Sequence, residues 1–139
     1  MNGDFYIRTI SILHNENDGS FTRHKKHMYH VDEMNKQIQE NLKFCKLFIP
    51  LCDINKENGV THVVKDSRNR LPVDINLLEK NSGMRFTDEF IESKYNKNDI
   101  VPLNAKIGEI YIARTDGVHK GGFVKNGKRT IIIVDYVKK

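Results

Sequence analysis

At 139 residues, with 38% hydrophobic and 29% charged side chains, the chain is long enough to bury a core and too apolar to be disordered throughout. Its two cysteines are too few for a disulfide framework, and no apolar run approaches the roughly 18 residues of a membrane helix, so a helical span is excluded. The N-terminus Met-Asn-Gly-Asp lacks the charged and apolar regions of a signal peptide, so a cytoplasmic protein of one domain, residues 1–139, with a net charge of +5, is the expectation.

In chain order, Phe5 to Leu13 reads as a strand rich in β-branched and aromatic residues. The turn signal Asn15-Glu16-Asn17-Asp18-Gly19-Ser20 leads to a second extended run over Phe21 to Val31, which together predict an N-terminal hairpin. Apolar residues at Val31, Met34, Ile38, Leu42 and Cys45 fall on one helix face, with Asp32 and Glu33 in the first turn, where the helix dipole favours acids. Leu47 to Ile54 and Val60 to Lys65 read as short strands, with Pro50 marking an edge or bulge.

Asp74 and Thr87 are placed to cap two short helices ending near Asn81 and Tyr95. After a polar connector, Gly108 to Arg114 and Thr130 to Val137 read as strands, with the turn signal Asn126-Gly127 before the second. The expected fold class is α+β: a small antiparallel sheet, made of the N-terminal hairpin and a basic C-terminal meander, packed with one long and two short helices.

Charge is distributed unevenly. Residues 106–139 hold eight Lys/Arg against Glu109, Asp116 and Asp135, and that surplus equals the net charge of the whole chain. A local excess of this kind attracts polyanions. Arg114, Lys120, Lys125, Lys128 and Arg129 are the candidate phosphate contacts, joined by Arg23, Lys25 and Lys26 of the N-terminal basic cluster.

His24, His27 and His30 are spaced by three. In a strand His24 and His30 share a face while His27 points away, and the intervening lysines oppose a divalent ion, so no metal and no cofactor is expected. His119, in Thr115-Asp116-Gly117-Val118-His119-Lys120-Gly121-Gly122, is the candidate general acid or base.

Gly108-Glu109-Ile110-Tyr111-Ile112 resembles the Gly-Asp strand of the NlpC-type papain-like peptidases, and His119 through Gly127 resembles their His strand, a likeness covering residues 59–134. It implies that His119 holds the position of the general base. The place of the nucleophilic cysteine is taken by Ile75, which has no attacking atom, so the resemblance implies a scaffold without peptidase chemistry.

The function expected from the sequence is a small basic binding or regulatory protein, of viral or phage type. It would engage an anionic partner, nucleic acid or an acidic protein surface, through the C-terminal meander. The alternative is a metal-independent endoribonuclease of toxin type, using His119 with Lys120 or Arg129.

Overall fold

The computed structural model of the chain describes residues 5–17, 27–32, 43–80 and 83–138. Seven strands run in chain order: β1 (Phe5–Glu16), β2 (Lys43–Pro50), β3 (Thr61–Val64), β4 (Ile100–Leu103), β5 (Tyr111–Ala113), β6 (His119–Lys120) and β7 (Lys128–Lys138). They form a four-stranded sheet in the order β1-β7-β2-β5 and a three-stranded sheet in the order β4-β3-β6. All pairings are antiparallel.

The β-branched run of β7, Thr130-Ile131-Ile132-Ile133-Val134, suits a central strand, because such side chains pack well on a pleated surface with neighbours on both sides. Period-two alternation then sorts its residues. Arg129, Ile131 and Ile133 point into the space between the sheets, in register with Asn15 and Leu13 of β1 and, through Ile133, with Phe48 of β2. Phe48, Ala113 and Ile131 of the larger sheet pack with Val63 and Leu103 of the smaller one.

Between β3 and β4 lie two short helices, α1 (Ile75–Lys80) and α2 (Asp88–Lys94). Thr87 caps α2, its hydroxyl accepting from the Phe90 amide at 3.2 Å. Ile91, the fully buried residue of α2, packs with Tyr29, Val31, Phe86 and Val118. This cluster lies behind the smaller sheet and braces the strands that carry the site.

Where the segment after β6 passes the start of β3, the two backbones touch. A Cβ at Gly122 would lie 2.3 Å from the Val60 carbonyl oxygen, so only glycine permits the approach.

The α+β expectation is corrected: among the described residues the architecture is two antiparallel sheets with two short helices. The long helix expected from Val31 to Cys45 lies largely outside the described residues, but both described ends are non-helical, and Cys45 lies within β2. Of the N-terminal hairpin, residues 18–26 lie outside the described residues; the partner of β1 is β7, from the other end of the sequence. The C-terminal meander is also replaced. β5, β6 and β7 do not pair in succession: β6 joins the other sheet and β7 inserts between β1 and β2. Local spacing carried the strand signals, but the pairings are non-local and are chosen by burial of the inward faces.

Candidate metal centre

Met28 to Asp32 runs antiparallel beside β6, the edge strand of the smaller sheet. His30 and His119 exchange backbone hydrogen bonds, each amide donating to the other's carbonyl at 2.9 Å, which sets the two residues directly opposite one another. Strand alternation does the rest. Val31 and Val118 turn into the apolar cluster behind, so His30, Asp32 and His119 all turn toward the space between the sheets.

The three side chains converge. His30 Nε2 lies 3.6 Å from Asp32 Oδ1, and His119 Nε2 lies 3.6 Å from Asp32 Oδ2. One ligand atom from each residue falls within 4.8 Å of the other two. Ligands at about 2.1 Å from one ion and at right angles to each other stand about 3 Å apart, so a small contraction closes the set around an ion.

The hydrogen bonds decide what these atoms are. His30 Nδ1 lies 3.1 Å from the Met28 carbonyl and His119 Nδ1 lies 3.0 Å from the Gly117 carbonyl. A carbonyl only accepts, so in each ring Nδ1 carries the proton and Nε2 presents a lone pair. Burial lowers the pKa of His30 and pushes that of His119 down to about 4, so both rings are neutral at physiological pH. Burial works against the charge on Asp32, but His119 and the Lys46 ammonium, 2.6 Å away, outweigh it and hold the carboxyl below its ordinary pKa. With His119 neutral, Lys46 is the partner that persists. The 3.6 Å separations are therefore not ion pairs: two lone pairs and a carboxylate face one another with no hydrogen between them, an arrangement that a cation relieves.

The acid sensitivity of the metal-free protein follows from the same burial. Unfolded, His119 titrates near its ordinary value of about 6.5; folded, it stays neutral down to about 4. Across that window the unfolded state binds a proton that the folded state refuses, so stability falls as pH falls, by on the order of 3 kcal/mol from this residue. Urea unfolding of metal-free protein from neutral pH to about pH 4 is expected to show that loss, with a shallower slope in His119→Ala. Parallel slopes would contradict a neutral buried His119.

The triad opens on a cavity of about 240 Å³, walled on its apolar side by Leu13, Phe48, Ile131 and Ile133. Arg129 lines the same cavity. It is 4% exposed, donates through Nη1 to the Gly59 carbonyl and through Nη2 to Asn15 Oδ1 at 3.1 Å, and its Nε is buried without a partner. Among the described residues no carboxylate pairs with it. A buried guanidinium held only by neutral acceptors is set to receive an anion.

No family model and no curated protein matches the sequence. Solved structures do. The non-heme monooxygenase ThoJ superposes with a TM-score of 0.63 at 13% identity, over 98% of this chain and 47% of that one. HygX from Streptomyces hygroscopicus, solved with nickel and 2-oxoglutarate bound, gives 0.63 at 12% identity, over 96% and 58%. The non-heme alpha ketoglutarate dependent epimerase SnoN gives 0.62 at 16% identity, over 95% and 48%.

The fold is the cupin-like double-stranded β-helix. This chain spans about half the length of each of those structures. The NlpC-type resemblance is thereby corrected. Gly108, at φ +88°, belongs to a turn, and His119 pairs with β3 in the smaller sheet instead of opening a strand of the papain-like kind.

The nucleic-acid reading, with its viral regulatory role, and the endoribonuclease reading are corrected as well: the structural neighbours are enzymes of the non-heme type. The double-stranded β-helix also disperses the basic residues. Arg114 pairs with Asp116 at 2.6 Å. Lys120 pairs with Asp88 at 2.6 Å and lies over the Tyr29 ring. Arg129 is inside, whereas Lys125 and Lys128 are exposed. Arg23, Lys25 and Lys26 lie outside the described residues.

Of the residues singled out in the sequence, the structure brings His27, His30, His119 and Arg129 to one cavity, whose lining does not include Arg114, Lys120, Lys125 or Lys128. His30 was weighed only against His24 and His27, and Asp32 only as a helix-start acid. The overlooked signal is His30-Val31-Asp32: in a strand, residues two apart share a face.

Proposed function

We propose that this chain is the metal- and co-substrate-binding core of a non-heme iron, 2-oxoglutarate-dependent oxygenase. His30, Asp32 and His119 would hold the metal, and Arg129 the distal carboxylate of 2-oxoglutarate. The observation that supports it is the convergence of two neutral imidazoles and one carboxylate on a cavity with an uncompensated buried guanidinium. Two histidines and one carboxylate, leaving one side open, is the donor set suited to iron(II) in oxygenases.

Iron(II), when bound, supplies the redox chemistry that couples decarboxylation of 2-oxoglutarate to oxidation of a second substrate. The overall balance is one O₂ and one 2-oxoglutarate giving succinate, CO₂ and one oxygen atom for the substrate. The protein's own part is positional. The Met28 and Gly117 carbonyls hold both rings in the ligating tautomer, and Lys46 orients Asp32. Arg129 fixes one end of a dicarboxylate, and the apolar wall of Leu13, Phe48, Ile131 and Ile133 keeps water from its chain.

The test is calorimetric titration with nickel(II), then with 2-oxoglutarate, followed by iron(II) and O₂ with succinate as the readout. Binding of 2-oxoglutarate that needs the metal, and slow succinate release, are expected. Binding of 2-oxoglutarate unchanged by EDTA would defeat the reading.

A further inference from the structure

We propose that Arg85 anchors an oxyanion, a carboxylate or phosphate, on the second substrate of this cavity, an inference that rests on the oxygenase reading of the same site. Arg85 enters from the segment between β3 and β4. Its neighbour Phe86 is tied to Tyr29 by reciprocal backbone hydrogen bonds of 3.1 and 2.8 Å, which sets Arg85 beside the strand of His30. From there its side chain lines the same cavity as the triad and Arg129.

The guanidinium is underused. Nη1 donates to the carbonyls of Gly83 and Met84, at 3.2 and 3.3 Å, both neutral and both its own chain neighbours. Nε is buried with no partner. Among the described residues no carboxylate pairs with Arg85.

Charge in the cavity points the same way. Among the described residues the lining carries Arg85, Arg129 and Lys46 against Asp32 as the sole carboxylate, and Lys46 already occupies Asp32. A divalent ion and a 2-oxoglutarate dianion cancel one another, so the cationic surplus persists after both bind. Arg129 is satisfied by the co-substrate; Arg85 remains. A substrate with an oxyanion head and an apolar body complements what is left, the guanidinium on one side and the apolar wall on the other.

The experiment titrates the nickel(II)–2-oxoglutarate complex with hexanoate, hexyl phosphate and hexan-1-ol, which share one apolar body. In the wild type at least one anion is expected to bind about 10-fold more tightly than the alcohol. The preferred head group tells carboxylate from phosphate. In Arg85→Gln that advantage is expected to vanish while 2-oxoglutarate affinity stays unchanged, and Arg85→Lys, which keeps the charge and guards against a folding defect, retains part of it.

Equal binding of all three probes by the wild type would overturn the inference. So would loss of 2-oxoglutarate affinity in Arg85→Gln, which would assign Arg85 to the co-substrate. If nickel fails to bind at all, the oxygenase reading falls separately. The same titration on metal-free Arg129→Met protein, with and without Arg85→Gln, then still reports whether Arg85 selects an anion, and no selection there overturns the inference by itself.

Discussion

His119→Ala is expected to lower nickel(II) affinity by at least about 100-fold, as measured by titration calorimetry. On the proposed reading the ring supplies one of three ligand atoms found among the described residues, and its Nε2 is 3.6 Å from Asp32 Oδ2. Changing partners outside a ligand shell already costs 10- to 100-fold, so loss of a ligand itself lies at or beyond that range. The fold is expected to survive, because the alternate face of the same strand, led by Val118, keeps its place in the apolar cluster. Retained affinity in a folded variant would show that the convergence is structural and not a metal centre.

Arg129→Met carries the second large effect. Removing one partner of a buried, hydrogen-bonded charge pair costs about 2–5 kcal/mol, so 2-oxoglutarate affinity is expected to fall by between about 30-fold and several thousand-fold. Nickel affinity is expected to stay constant, since Arg129 is not in the donor set. Stability follows a different course. The substitution frees the Gly59 carbonyl and Asn15 Oδ1 of their donor, but it also removes a guanidinium whose charge is desolvated without a counter-ion. These contributions oppose one another, and the thermal midpoint is expected to move by only a few degrees. An equal loss of 2-oxoglutarate and nickel binding, or collapse of the fold, would assign Arg129 a structural role instead.

Local chemistry was legible in the sequence where neighbours along the chain decide it. Thr87 caps α2 because a hydroxyl can reach an amide three residues on, and the β-branched run of β7 reads as a strand in any context. Asp32 was misread for the same reason. With Glu33 it fits a helix start, and only the backbone exchange between His30 and His119 shows that it belongs to an extended segment. The basic tail was counted correctly and interpreted wrongly, because the count does not say which cations meet carboxylates. Arg114 and Lys120 do, and Arg129 turns inward instead.

Residue order alone sets β1, β7, the Thr87-capped helix and a His-x-Asp pair whose side chains share a face once the backbone is extended, whereas β4 lies in what reads as a polar connector. Which distant histidine completes that pair, and which arginine loses its water, is settled by three-dimensional pairing. Both outcomes depend on antiparallel pairing between segments far apart in the chain, and those pairings are set by burial of apolar faces that no local window of residues contains.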